Sequence, residues 1–268
     1  MYKYLHVLSI GVQNTLVYRM NFLFRAAFGL IPLAGTLFVW KAIYADKGPA
    51  ADIGGYTLAQ MISYYLLVTL VDALTAVAED DWQIAADIRE GQINQFLLKP
   101  IDYLTYRLCL YLSGRSIYTI FASIPVAIFI VILRDYFVGP ADWPTLGCFL
   151  LSTFLAGMLQ FFIAYSMAML AFWVLDVSTF IFIQFALEYL ASGHLFPLDI
   201  LPAGVARVIQ FTPYPYLLFF PVGVYLGRIQ GADLWAGFAI QTAWVLGGWL
   251  LCRWVWSRGV RKYSAFGG

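Results

Sequence analysis

The chain has 268 residues, of which 62% are hydrophobic and only 12% are charged, and its formal net charge is +1. An average soluble domain is about half apolar and about a quarter charged, and a chain of this length has too little interior to hide so much apolar surface. The composition therefore excludes an ordinary soluble protein, and the near-zero net charge provides no basic field for binding nucleic acid.

Long apolar runs recur along the whole chain. A helix needs roughly 20 mostly apolar residues to cross the hydrocarbon core of a bilayer, which is about 30 Å thick. The runs that meet or nearly meet this length are 22–44, 56–77, 109–133, 146–175, 178–196 and 234–256. Backbone polar groups find no partners in lipid, so each run is predicted to be helical. The sequence predicts an all-α polytopic membrane protein, a single transmembrane domain over residues 1–268 with six transmembrane helices.

The distribution of lysine and arginine predicts which side of the membrane each connection occupies. Cytoplasmic connections carry an excess of these residues. With the N-terminus in the cytoplasm, that side carries Lys3, Arg19, Arg25, Arg89, Lys99, Arg107, Arg115, Arg253, Arg258, Arg261 and Lys262. The other side carries Lys41, Lys47, Arg134, Arg207 and Arg228. The imbalance predicts that both termini are cytoplasmic.

Two connecting regions have patterns of their own. Residues 1–20 place Leu5, Leu8, Val12 and Leu16 at helical spacing, which predicts an amphipathic helix in the membrane interface. Residues 197–233 contain five of the eleven prolines yet remain apolar. A run broken so often cannot span as a regular helix, so short re-entrant or interfacial helices are predicted there, on the outer side.

The longest predicted cytoplasmic connection, residues 79–106, contains a short helix between two helix breakers. The segment Arg89-Glu90-Gly91 ends one helix, residues 92–98 form about two turns, and Pro100 ends them. We call residues 89–100 the knob, and Ile93, Phe96 and Leu97 are predicted to share its apolar docking face. One interpretation is an interfacial loop helix, and the other is a coupling helix that docks into a groove on an ATPase.

Motifs for chemistry are missing from the sequence. It has no G-x-x-x-x-G-K-[ST] phosphate loop, no H-E-x-x-H pair and no C-x-x-C pair. The chain is therefore predicted not to be an enzyme, and to hold no metal or cofactor. Glu188 is the deepest intramembrane acid and Asp72 the next, and such acids mark transport or gating sites by default. Asp72 is also interpreted as a helix-end residue close to water.

Three local motifs, in their order along the chain, resemble those of the permease subunits of ABC-2-type ABC transporters. Within that family they look like the uncharacterised permease-component subgroup. The motifs are residues 88–91 with 97–101, residues 192–198 with 201–202, and the ending 261–264, although the small-residue tail after it departs slightly from the pattern. The resemblance covers essentially the whole chain.

The resemblance implies partners that composition does not reveal. It implies a dimer with a second copy or a related permease, and two ATP-binding subunits that hold the ATP and Mg. It also implies a multi-pass protein of the cytoplasmic (inner) membrane that exports drugs, lipids or glycan-linked substrates. The knob residues Arg89, Glu90, Gly91, Ile93, Phe96, Leu97 and Pro100 would then couple the permease to the ATPase.

Four residues are expected to serve the pathway or its gate. They are Glu188, Gly193, Phe196 and Pro197, with Gly193 and Pro197 ending the fifth helix early. Two other function classes stay open. One is a secondary transporter driven by an ion gradient with Glu188 as the coupling acid, and the other is a membrane scaffold or enzyme without transport. An ATPase encoded next to this protein would favour the ABC permease. An inverted repeat, which the sequence does not show, would favour the secondary transporter, and clustered catalytic polar residues, which are missing, would favour the scaffold or enzyme.

Overall fold

Helices make up the structure. A computed structural model of the protein describes residues 2–17, 19–48, 52–77 and 80–263, and no strand occurs among them. Its helices are α1 (Tyr2–Val17), α2 (Arg19–Lys47), α3 (Leu58–Thr75), α4 (Asp80–Arg89), α5 (Asn94–Leu97), α6 (Tyr103–Ile132), α7 (Trp143–Ala168), α8 (Ser178–Ala191), α9 (Ala203–Gln210), α10 (Phe219–Tyr225) and α11 (Gly231–Lys262). The all-α polytopic prediction is confirmed. Residue 79, where the predicted coupling region begins, and Ser264 of the tail motif lie outside the described residues.

Five helices are long and apolar enough to cross a membrane, and the predicted fifth of the six spans is short. The five are α2, α3, α6, α7 and α11, with a 3-10 turn at Met169–Phe172 extending α7. Helix α8 has 14 residues, which is about 21 Å of helix. The predicted run 178–196 is helical only to Ala191, because the backbone turns at Gly193, where φ is +90°.

Helix α1 lies against α6 through small residues. A Cβ at Gly11 would overlap the Ser113 side chain, and Gly114 faces the hydroxyl of Thr15. This close approach leaves Leu5 and Leu16 of the predicted amphipathic stripe exposed. The N-terminal helix is therefore fixed along α6 by its small-residue face, with apolar side chains turned outward.

The proline-rich region forms short helices and turns. Helices α9 and α10 alternate with 3-10 turns at Leu198–Ile200 and Tyr214–Tyr216. Helix α10 is buried against α3 and α7, and the Phe219 amide donates to the Ser192 carbonyl at 2.9 Å. Within the described residues of 197–233, none of these helices exceeds eight residues, so none can cross a bilayer.

The bundle has two ends with separate hydrophobic clusters. We call the end that carries α4, α5 and the start of α6 the knob end, and the end that carries residues 52–57 and 198–230 the far end. The larger cluster surrounds α3 and α10, and the smaller one joins α4, α6, α7 and α11 at the knob end. Lys3 bonds the Pro100 carbonyl, and Tyr263 packs on Phe172. Both ends of the described chain therefore lie at the knob end.

Candidate functional site

The knob is a tight turn between α4 and α6. Helix α4 ends at Arg89, and Gly91 follows with φ +78°. This left-handed conformation favours glycine, because a Cβ there would approach the backbone carbonyl. The short helix α5 then spans only Asn94–Leu97, which is one turn rather than the two predicted.

The apolar side chains of the knob point in different directions. Ile93 is fully buried in the cluster with Ile84 and Ile88. Phe96 packs its ring 4.9 Å and 4.8 Å from the rings of Tyr103 and Tyr106.

Leu97 and Leu98 are the exposed apolar residues of the knob, with 45% and 89% of their surfaces accessible. The prediction that Ile93, Phe96 and Leu97 form one surface is therefore wrong, since Ile93 lies inside the subunit and Phe96 is turned toward α6. The exposed apolar surface is Leu97, which the sequence analysis named, together with Leu98, which it did not.

A buried polar network joins α4 to α6. The guanidinium of Arg107 forms a salt bridge with Asp87, and their side chains are only 4% and 19% exposed. Tyr103 donates to the same Asp87 carboxylate at 2.7 Å, while Arg107 donates to Gln83 at 3.1 Å. Because charged groups in a nonpolar cluster need partners, this network fixes α4 to α6 as one unit.

Arg89 connects the knob to the segment between α7 and α8. Its Nη1 donates to the Leu175 carbonyl at 3.3 Å. The Ser178 hydrogen bonds and then the positive charge of Arg89 hold the pKa of Asp176 below its usual range. Glu90, beside it, is exposed. Arg89 thus links the knob to the connection between α7 and α8, two regions that the sequence analysis treated separately.

The chain beyond α5 is held by α1 and α11. Arg253 of α11 forms a salt bridge with Asp102, which caps the start of α6, and the Asp102 amide donates to the Tyr4 hydroxyl at 3.2 Å. Burial raises the pKa of the Asp102 carboxyl, but hydrogen bonds from Thr105 and Arg253 outweigh burial, so its pKa lies below the usual range. The knob is therefore tied to the first and last helices of the chain.

Two cavities follow one face of α2, α3 and α6. The first, of about 720 Å³, is lined near the knob by Gln92, Gln95 and Phe96, and we call it the vestibule. The second, of about 210 Å³, reaches Tyr189 and His194, and we call it the inner cavity.

The cavities adjoin along the length of α6. Both are lined by Asp72, Ala73 and Tyr118, and between them they contact α6 from Tyr106 to Val126. At 1.5 Å per residue this is roughly 30 Å, the thickness of the hydrocarbon core. Asp72, interpreted from the sequence as a helix-end residue, therefore lies where the two cavities meet.

Glu188 lies in a polar cluster between α7 and α8. Its Oε1 accepts from Nε2 of Gln160 at 2.8 Å, and its Oε2 accepts from Nε2 of Gln184 at 2.9 Å. Sequence reasoning found Glu188 but missed both glutamines, because Gln160 belongs to a different helix. Glutamine within an apolar run is the signal that could have found them.

The other predicted gating residues belong to the segment that follows α8. Tyr64 donates to the Gly193 carbonyl at 2.6 Å and Tyr65 donates to the Leu195 carbonyl at 2.8 Å, so α3 binds this segment directly. Pro197 is buried and Phe196 is half-buried. The structure thus brings Gly193, Phe196 and Pro197 into one segment that ends α8 and contacts α3.

The comparison with known families agrees with this architecture. The sequence matches the family described as ABC-2 family transporter protein over residues 30–267, which is nearly the whole chain. No curated protein matches it. The membrane-length apolar helices are those expected of such a permease. The chain therefore belongs to the ABC-2 transporter family, whose members are the membrane-spanning permease components of ABC transporters and not themselves the ATPase.

Proposed function

We propose that this permease is part of an ATP-driven exporter and that the knob is its coupling device. Two ATP-binding subunits, which hold the ATP and Mg, dock at the knob ends of two permeases. The cargo is amphipathic, lipid-like or drug-like, and it follows the vestibule and the inner cavity. The observation that carries the proposal is the exposed pair Leu97 and Leu98 on a turn fixed to the membrane helices.

Exposed leucines on a rigid turn suit a docking surface. A few apolar anchors usually dominate the energy of a protein interface. Leu98 is 89% exposed in the subunit, so a groove on a partner would remove most of its surface from water. Leu97 lies beside it on the same turn, and together the two leucines form a compact apolar surface that a partner can bind.

The fixed attachments of the knob supply the mechanical link. Asp87–Arg107 joins α4 to α6, and Arg89 joins the knob to the segment before α8. A displacement of Leu97 and Leu98 by a closing ATPase would therefore reach the helices that line the cavities and the helix that carries Glu188. ATP would shift the inward- and outward-facing populations only as far as it favours one of them.

The second permease covers α8 in this proposal. Phe182, Ile183 and Phe185 are each more than half exposed on α8. In the proposed dimer these side chains of the short helix pack against the second permease. The knob end faces the cytoplasm of the inner membrane, as the lysine and arginine distribution predicts, so both termini are cytoplasmic.

The test is reconstitution of the permease with its ATP-binding subunit. The variant Leu97→Asp/Leu98→Asp places two charges on the proposed docking surface. It should lose ATPase association and coupled hydrolysis while the permease keeps its wild-type thermal stability. Gln95→Asp adds a charge to the same turn on the side that lines the vestibule, and it should leave association intact. Phe96→Asp is unsuitable, because it would disrupt packing inside the subunit.

The proposal fails if the leucine variant assembles with the ATPase and hydrolyses ATP as the wild type does. It also fails if the wild-type permease associates with no ATP-binding subunit and moves cargo on an ion gradient. The second result would restore the reading of Glu188 as a coupling acid in a secondary transporter.

A further inference from the structure

The Glu188 cluster has two acceptors that the subunit does not satisfy. A carboxylate can only accept hydrogen bonds, so Gln160 and Gln184 must each turn an amide NH₂ toward Glu188. Their oxygens therefore point away from it. Both Oε1 atoms are buried, and neither has a hydrogen-bond partner in the described part of the chain. An acceptor buried without a donor costs free energy unless something else supplies one.

A negative charge on Glu188 would also lack a counter-ion among the described residues. Glu188 lies ten residues after Ser178, at the start of α8, so it is about 15 Å along this apolar helix. No ion pair among the described residues includes Glu188. A carboxylate on a membrane helix is costly and marks a functional site by default.

The inner cavity, which is lined by Tyr189 next to Glu188, contains a second acid. Asp72 lines it together with His194, and no lysine or arginine among the described residues does. Three tyrosines also line the inner cavity, Tyr65, Tyr118 and Tyr189. The faces of aromatic rings attract cations.

We propose that Glu188, Gln160 and Gln184 bind a positively charged nitrogen of the transported molecule, so that the permease carries organic cations. The carboxylate supplies the charge, and the two free amide oxygens accept N–H groups. Asp72 and the tyrosines receive the rest of the molecule in the inner cavity. Both carboxylates would repel anionic cargo at this site, whereas Arg25, Arg107 and Arg115 line the vestibule before it. This inference rests on the proposed function, because it names the cargo class of the same pathway.

The site is tested by equilibrium binding to the purified permease–ATPase complex in lipid nanodiscs without nucleotide. Radiolabelled tetraphenylphosphonium, a permanent cation without N–H groups, is the reporter. The competitors are 2-phenylethylammonium and 3-phenylpropionate, which are similar in size and opposite in charge. The ammonium should displace the reporter and the carboxylate should not.

Variants assign the binding to named side chains. Glu188→Gln keeps the size of the side chain and removes its charge, and it should weaken both cations about tenfold or more. Gln160→Leu and Gln184→Leu should weaken the ammonium more than tetraphenylphosphonium, because only the ammonium donates hydrogen bonds. Asp135→Asn is the control, since it removes a carboxylate from an exposed position outside the cluster.

The proposal is overturned if Glu188→Gln binds both cations as tightly as the wild type, or if the carboxylate competitor displaces the reporter equally well. It is also overturned if Glu188→Gln changes only thermal stability or dimer assembly, because the cluster would then be a contact between subunits. If no ATP-binding subunit copurifies, the same binding is measured on the permease in nanodiscs. Cation binding that depends on Glu188 would then uphold the site while the ATP-driven function fails.

Discussion

Asp87 of α4 and Arg107 of α6 form a buried salt bridge at the knob end of the bundle. Tyr103 and Gln83 complete its hydrogen bonding, so both charges have partners despite their burial. The two residues belong to elements on opposite sides of the knob. The salt bridge therefore holds together the two helices that flank the knob. Separating α4 from α6 would leave Asp87 or Arg107 buried without its counter-ion or would expose both to water.

Breaking this pair from one side should destabilise the permease. Asp87→Ala would leave Arg107 charged and buried without a counter-ion, and removal of one partner of a buried pair costs about 3–5 kcal/mol. Thermal unfolding of the purified permease measures the loss. Asp135→Ala is the matched control, because its pair with Arg134 is exposed on both sides, and it should change stability by less than about 1 kcal/mol. Equal effects of the two variants would contradict the structural role of the Asp87–Arg107 pair.

Alanine should be tolerated differently at two glycines with positive φ. Gly91 has φ +78°, and a Cβ there would meet nothing closer than the Tyr263 hydroxyl at 3.5 Å. Gly91→Ala should therefore cost only backbone strain, about 1–2 kcal/mol. Gly193 has φ +90°, and its Cβ would lie 2.5 Å from the Tyr64 hydroxyl and 3.1 Å from Phe219.

Gly193→Ala adds overpacking to strain, so it should cost about 2–5 kcal/mol. Chemical or thermal unfolding in detergent compares the two variants directly. A larger loss at Gly91 than at Gly193 would mean that the segment after α8 is not held against α3 as described.

Acid should weaken the contact between Asp102 and Arg253. The pKa of Asp102 is lowered in the folded protein, so this carboxyl stabilises the fold at pH values above its unfolded pKa of about 4. That stabilisation is lost as the pH falls through the lowered folded value. Asp102→Asn lacks it at every pH. Melting curves of the wild type and Asp102→Asn should therefore differ at pH 6 and converge toward pH 3, whereas a constant difference would refute the assignment.

The spans follow from the sequence because lipid imposes a simple rule. A segment that crosses must be helical, apolar and about 20 residues long, and α2, α3, α6, α7 and α11 satisfy it. The length rule extends the fifth run to residue 196, whereas α8 ends at Ala191, just before Gly193, which the sequence predicts to end this helix early. Hydropathy carries no information about the positive φ of Gly193 or about Tyr64 and Tyr65 binding that backbone.

The site is less visible in the sequence, because its contacts join distant residues. Arg107 and Asp87 are 20 positions apart, and Gln160 and Glu188 are 28 positions apart. The knob shows a different limit. A single helical turn has no repeating sequence pattern from which its buried and exposed faces can be predicted. In the structure, Phe96 faces inward because it packs on the rings of Tyr103 and Tyr106, and Leu98 is left exposed.

Single-cysteine labelling tests the proposed orientation. Cys109, Cys148 and Cys252 are first replaced by alanine. Val208 of α9 is 69% exposed at the far end, and Leu98 is exposed at the knob end. An impermeant maleimide added to intact cells should label Val208→Cys and should reach Leu98→Cys only after permeabilisation. The reverse pattern would place the knob outside the cell, where no ATPase could reach it.

An ATP-binding subunit is proposed to contact the knob through Leu98. A photoreactive benzoylphenylalanine is placed at position 98 in the full chain and irradiated in native membranes, and mass spectrometry identifies the adducts. Position 208 at the far end is the control. Position 98 should cross-link to a protein with a G-x-x-x-x-G-K-[ST] phosphate loop, and position 208 should not. Adducts at position 98 that contain only lipid, or only proteins without that loop, would contradict the proposed contact.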